Sequence, residues 1–219
     1  MATPTLLETL PPVHSASYLG DVQVLEQLYG GGWSLTARDS DGRTPLHWAA
    51  ANGQLETVKW LVQKNSDLLC MQDKDGSTPL HCAAISGQLE TIKWLVQKNS
   101  DLLCMQDEGC TTPLHCAAVM GHLEVVKWQV ERRGDLLFMQ DKYGLTPLDC
   151  AVLYGRHEVE RWLVKKGGGA VTAGPVSVQH VVSNYLCQSV RVCCVVLCWP
   201  RHLHLHIITT TLVGHCSDA

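Results

Sequence analysis

The sequence has few charged residues and no excess of basic ones. Charged residues make up 17% of its 219 residues, below the roughly 25% that is usual for a globular protein. Lys and Arg number 17 against 21 Asp and Glu, which gives a formal net charge of −4. Because phosphate binding needs a basic excess or a basic patch, we do not expect nucleic acid to be a partner.

The beginning of the sequence has no features of a secretory signal. Met1 to Leu10 includes Pro4 and Glu8, and it has neither a basic start nor a long apolar run. The 11 cysteines fall short of the more than roughly 8–10% that marks a disulfide scaffold. We therefore expect an intracellular protein, in the cytoplasm or the nucleus, with reduced thiols.

Motifs for catalysis are also missing. The sequence has no Gly-rich phosphate loop, no nucleophile elbow and no paired carboxylates with an identifiable pocket. We therefore expect neither enzymatic activity nor a bound cofactor.

The composition changes abruptly after Lys166. All but three of the charged residues precede Gly167, and the exceptions are Arg191, Arg201 and Asp218. Three consecutive glycines, 167–169, mark the change and are typical of a helix end followed by a flexible joint. The two parts of the chain therefore need separate interpretations.

A short motif recurs at a constant interval in the first part. Residues 44–47, 78–81 and 112–115 have the sequence Thr-Pro-Leu-His, and 146–149 has Thr-Pro-Leu-Asp. Residues 44–77 and 78–111 are identical at 26 of 34 positions. A weaker copy, Pro-Pro-Val-His, lies upstream at 11–14. Such a regular interval indicates a stack of similar structural units.

Each unit has the pattern of two helices joined by a turn. Thr44 can cap the first helix, and Pro45 stands where its missing N–H costs nothing. Gly53 supplies the turn, where a positive φ is favourable. The second helix carries apolar residues at helical spacing, namely Leu55, Val58, Leu61 and Val62. Asn65 is expected to end it in the left-handed conformation.

The series Thr-Pro-Leu-His, Ala-Ala, Gly, Leu-Glu-x-Val-Lys resembles the ankyrin repeat. The resemblance implies an all-α solenoid of helix-turn-helix pairs joined by β-hairpin loops. After an extension at 1–10 we expect five repeats, at 11–43, 44–77, 78–111, 112–145 and 146–166. The sequence departs from the family in its period, which is longer by a single residue, expected within 66–71. It also has Asp149 in place of His, and the glycine of the third hairpin is displaced to Gly109.

The resemblance further implies a protein partner, bound at the hairpin tips and at the two residues before each inter-helix glycine. The candidate contact residues at the tips are Ser40, Asp41, Arg43, Lys74, Asp75, Ser77, Glu108, Thr111, Lys142, Tyr143 and Leu145. Those before the glycines are Asn52, Ile85, Ser86, Val119, Met120, Leu153 and Tyr154.

This face changes from polar in the early repeats to apolar in the late ones, so we expect a partner segment with apolar anchors over repeats three to five. Tyr143, Tyr154 and Met120 are the strongest hot-spot candidates. The alternative is that these are merely tolerated surface residues.

Three residue types, His, Cys and Trp, recur at equivalent positions of successive repeats. His47, His81 and His115 are expected to bond within the Thr-x-x-His turn, because neighbouring repeats lie about 10 Å apart, too far to share a metal. The remaining sets are Cys82, Cys116 and Cys150; Cys70 and Cys104; and Trp60, Trp94, Trp128 and Trp162. We expect the cysteines to be buried, with Cys110 as the exposed thiol, and the tryptophans to pack between helices or to form convex hot spots.

Residues 167–219, rich in Val, Cys and His, do not resemble the repeat. The favoured interpretation is a disordered or weakly ordered end without an evolved function. A metal site is a second interpretation, with the candidate ligands Cys194, Cys198, His202, His204 and His206. Membrane association through Val192–Trp199 is a third, although a span needs about 20 apolar residues. A cap over the last repeat is the fourth.

Overall fold

A computed structural model describes residues 10–167. The described residues form ten α-helices in five consecutive pairs and contain no β-strand. The helices are α1 (Pro12–Leu19), α2 (Val22–Gly30), α3 (Pro45–Ala51), α4 (Leu55–Lys64), α5 (Pro79–Ile85), α6 (Leu89–Lys98), α7 (Pro113–Met120), α8 (Leu123–Arg132), α9 (Pro147–Leu153) and α10 (His157–Lys165). The expected all-α solenoid of helix pairs is confirmed.

The candidate metal ligands of the last part and the apolar run Val192–Trp199 lie outside the described residues. Among the helices of residues 10–167, none is both long and apolar enough to cross a membrane. Within the same residues, no group of three or more potential ligands could hold a metal ion.

The first helix of each pair packs tightly on the first helix of the next. Leu46, Leu80, Leu114 and Leu148 are at most 1% exposed in this layer, and the alanines beside them permit close approach of the backbones. The second helices α2, α4, α6, α8 and α10 touch one another much less. A stack that is tight along one layer and loose along the other curves toward the tight layer. The first helices and the loops beside them therefore line the inner face.

Histidines connect neighbouring pairs along this layer. The Thr44 N–H donates to His47 Nδ1 at 3.0 Å, while His47 Nε2 donates to the carbonyl of Ser77 at 3.0 Å. His81 and His115 make the same two bonds with their own threonine and with the following loop. The predicted bond within the turn is confirmed, and the second bond joins each pair to the next. Desolvation lowers the pKa of all three histidines, that of His47 to about 3.

A side chain of the next pair packs over the turn between the two helices. Gly53 has a φ of +68°, as the pattern predicted, and a Cβ there would collide with the side chain of Gln88. Gln88 Nε2 donates at 3.4 Å to the carbonyl of Ala51. Equivalent bonds run from Gln54, His122 and Arg156 back to the preceding pair.

The second helix ends differently from the prediction. Asn65 is extended, with φ −150° and ψ 106°, so the expected left-handed conformation is wrong. Its side chain instead accepts a bond from the Asp67 N–H at 2.9 Å and caps a 3-10 helix, Ser66–Cys70. Two further 3-10 helices, Ser100–Cys104 and Gly134–Phe138, follow α6 and α8. Asn is as well suited to an N-cap as to a left-handed end, which explains the error.

Candidate functional site

The loops that connect the pairs form a continuous row along one edge of the stack. Each loop is a tight turn, and the described residues of these loops contain no assigned strand. The second, for example, closes with a bond from Asp73 N to Ser77 O at 2.9 Å. Adjacent tips are joined by backbone bonds from Lys74 N to Asp41 O and from Glu108 N to Asp75 O, both at 3.0 Å. A third such bond runs from Lys142 N to Gly109 O at 2.9 Å.

A carboxylate organises each tip. Asp73 Oδ1 accepts bonds from the backbone N–H groups of Asp75 and Ser77 at 3.0 and 2.8 Å. The equivalent carboxylates make the same pair of bonds in the other loops, and they are Asp39, Asp107 and Asp141. This role was not predicted, although the presence of Asp at the same place in each of these loops was a signal for it.

The third tip places a cysteine where the others have glycine. Cys110 has a φ of +56°, against +80°, +78° and +77° for Gly42, Gly76 and Gly144. Its side chain is half-buried, whereas Cys70 is exposed. The prediction that Cys110 is the exposed repeat thiol is therefore wrong. The expectation of burial holds for Cys82 and Cys150 and is wrong for Cys70, while Cys104 and Cys116 are half-buried.

The candidate contact residues differ in their accessibility. Six are at most 8% exposed, and they are Arg43, Ser77, Ile85, Thr111, Val119 and Leu145. Four are exposed, namely Ser40, Lys74, Glu108 and Lys142. The others are half-buried, and they are Asp41, Asn52, Asp75, Ser86, Met120, Tyr143, Leu153 and Tyr154. The six buried side chains offer almost no surface to another molecule.

Arg43 shows why a tip residue becomes buried. Its Nε lies 3.5 Å from Asp73 Oδ2, and its guanidinium lies 5.7 Å from the ring centre of Trp48. Trp48 Nε1 in turn donates to Asp39 Oδ2 at 2.8 Å. Burial raises the pKa of Asp73, while the Ser77 amide and Arg43 act in the opposite direction. The inner face of the early helix pairs is therefore a network of charged and polar groups.

The inner face of helix pairs four and five is apolar instead. Val119, Leu145 and Cys150 form a small buried cluster, at most 7% exposed. Four half-buried side chains pack against it, and we call them the apolar patch: Met120, Tyr143, Leu153 and Tyr154. The Lys142 ammonium lies 5.2 Å from the ring centre of Tyr143. The structure thus brings the three strongest hot-spot candidates together around one cluster.

The recurring tryptophans lie on the second helices. Trp60 is 9% exposed and donates to Glu26 Oε1 at 3.1 Å. The later ones pack half-buried against the core, which agrees with the predicted packing between helices, and they are Trp94, Trp128 and Trp162. A groove of about 530 Å³ beside Trp94 is lined otherwise by Lys59, Val62, Gln63 and Lys98.

Comparison with known proteins places this geometry in a family context. A family model described as ankyrin repeats, in three copies, matches residues 13–106 and again 99–173. The two matches together cover well over half of the 219 residues.

Several curated proteins match over shorter stretches. Acyl-CoA-binding domain-containing protein 2 of Arabidopsis thaliana is 46% identical over 55 residues, which is 25% of this chain and 16% of that protein. Palmitoyltransferase akr1 of Neurospora crassa is 39% identical over 51 residues, 23% of this chain and 7% of that protein. The interferon antagonist OPG040 of vaccinia virus is 35% identical over 68 residues, 31% of this chain and 24% of that protein. The matches therefore span no more than 24% of the length of these relatives.

Proposed function

The chain belongs to the ankyrin-repeat family, and from that premise we propose that it is an adaptor or a regulatory subunit inside the cell. Ankyrin repeats are protein-interaction modules, and the family is generally non-catalytic. We propose that the partner is a protein segment with apolar side chains, which lies along the loop tips and the first helices over helix pairs three to five.

The apolar patch is the observation that carries this proposal. Tyr and Met are enriched in the cores of protein interfaces, and Tyr is enriched among hot spots. Here Tyr143 and Tyr154 stand half-exposed on a buried support of Val119, Leu145 and Cys150. A partner gains most from side chains that are held in place before binding, because their ordering costs little.

Lys142 lies beside the patch, and the other polar candidates lie at earlier tips and helix ends. They form the proposed rim, which consists of Ser40, Asp41, Asn52, Lys74, Asp75, Ser86, Glu108 and Lys142. Rim contacts contribute mainly to specificity and to the rate of association. The six buried candidates are left out of the proposed surface, and two of them, Val119 and Leu145, support the patch from beneath.

Affinity capture with two matched double variants tests the proposal. Tyr143→Ala with Tyr154→Ala removes both rings of the patch. Asp75→Ala with Ser86→Ala changes the same two repeat positions two units earlier. Each full-length variant is used as bait in a cell lysate beside the wild type, and the captured proteins are quantified by mass spectrometry. We expect one or more proteins to fall at least about tenfold with the tyrosine variant and by less than about threefold with the control, because the control changes only two rim side chains.

Circular dichroism and size-exclusion chromatography establish that both variants are folded. Undiminished capture by the folded tyrosine variant, or an equal loss with the control variant, would contradict the proposed binding surface.

A further inference from the structure

Helix pair four has a polar side chain at a core position. Gln129 in α8 lies one repeat after Leu95 and two after Leu61, both of which are 0% exposed. Gln129 is also 0% exposed, and neither its amide nitrogen nor its amide oxygen has a hydrogen-bond partner in the structure. A buried amide without partners destabilises the folded state, because it has given up its bonds to water.

Two further weak points lie in the same stretch. Cys110, in the loop before α7, has the left-handed conformation that other tips assign to glycine, and a side chain with a Cβ is disfavoured there. After α8, Arg133 stands where Asn65 and Asn99 cap their 3-10 helices, and its side chain makes no cap. All three deviations from the more regular pairs fall within residues 110–133.

We propose that helix pairs four and five open together, at a lower free energy than the rest of the stack, and that this opening takes the apolar patch apart. Each pair in a solenoid contacts only its neighbours, so local defects lower the free energy of local opening. Within residues 10–167, pair five packs against pair four. It therefore separates from the stack when pair four opens.

The second half of this inference rests on the proposed function. Met120 lies at the end of α7, Tyr143 in the loop before α9, and Leu153 and Tyr154 at the end of α9. The whole patch therefore exists only while both pairs are closed. A partner that binds only the closed form stabilises that form by its binding free energy. It therefore makes opening of these two pairs rarer, with less effect on the other pairs.

Hydrogen exchange of the full-length protein, measured by mass spectrometry without any partner, tests the first half. In the wild type we expect amides of α7–α9 to exchange at least about tenfold faster than those of α5 and α6. Gln129→Leu, which restores the residue of the preceding units, is expected to slow exchange in α7–α9 by about tenfold. It leaves α5 and α6 within about threefold of the wild type.

Leu95→Gln is the matched variant, because it moves the same side chain to pair three. It is expected to extend fast exchange to α5 and α6. Uniform protection of the wild type from α5 to α9, or an unchanged profile in Gln129→Leu, would overturn the proposal. Gln129→Leu removes a destabilising side chain and should fold. It therefore tests the proposal even where Leu95→Gln does not fold. Because no partner is present, neither result bears on the proposed binding function.

Discussion

Helix pairs two and three differ from pairs four and five in what the same repeat positions do. The early pairs place Leu95 in the core, glycine at the loop tip and Ser86 before the turn. Equivalent positions in the later pairs hold Gln129, Cys110 and Tyr154. Pair four thus has an unpartnered amide at a core position, and pairs four and five share a more apolar inner face. One repeat framework therefore carries a polar inner face in the early pairs and an apolar one in the later pairs, where we propose that a partner binds.

The largest expected effect comes from alanine at the two equivalent core positions. Leu95→Ala leaves a cavity in a fully buried layer, and it should lower the free energy of unfolding by about 2–5 kcal/mol. Gln129→Ala also removes a side chain, but it removes the unpartnered amide as well, and the net change should be within about 1 kcal/mol. Urea denaturation followed by circular dichroism measures both. Equal losses would show that the two cores do not differ.

Acid should act on the histidine connections of the stack. A folded-state pKa below the unfolded value means that stability is complete above about pH 6.5 and is lost as the pH falls. For His47, with a pKa of about 3, acidification from pH 7.5 to 5 costs about 2 kcal/mol. His81 and His115 act in the same direction, whereas Asp149 replaces histidine in pair five. Asp73, whose pKa is raised, acts in the opposite direction.

Urea midpoints at pH 7.5, 6.5, 5.5 and 5.0 measure this effect. The midpoint should be constant down to about pH 6.5 and then fall. His47→Gln should reduce the slope below that pH, because one group that binds protons only after unfolding has been removed. A midpoint that does not change down to pH 5 would contradict the role of the buried histidines.

Cys110→Gly is expected to stabilise the later helix pairs and so to reduce their difference in stability from the early pairs. Glycine adopts the left-handed conformation without steric cost, so the variant should gain about 1 kcal/mol of unfolding free energy. Cys110→Ala is the control, because it removes the thiol and keeps the unfavourable φ. A gain that is the same in both variants would assign the effect to the thiol rather than to the backbone.

The smallest expected effect concerns the cap after α8. Arg133→Asn restores the side chain that accepts a backbone N–H in the two preceding 3-10 helices. It also removes an exposed pair with Asp135, which is worth little. The net gain should be about 0.5 kcal/mol, visible as a small rise in Tm by calorimetry. Asn99→Ala should lose a similar amount. A fall in Tm for Arg133→Asn would show that the exposed pair outweighs the cap.

The regular interval of the sequence motif predicted the helix pairs, because a repeat of this length with glycine and proline at fixed places has few alternative folds. It did not predict the 3-10 helices, since such short segments do not show a helical period. The interval did not predict the burial of Arg43 either, because that side chain contacts Asp73, which lies in the following loop. The apolar patch was partly predictable: its residues were visible, but the cluster beneath them required the structure.

Hydrogen exchange of the full-length protein, with and without its partner, tests whether the partner binds helix pairs four and five in their closed form. The partner is the purified protein that the wild type captures and the Tyr143→Ala, Tyr154→Ala variant loses. We expect binding to slow exchange most in α7–α9 and in the loop that contains Tyr143, less in α5 and α6, and little in α1–α4. Slowing that is confined to α3–α6, or spread evenly over the stack, would contradict this expectation.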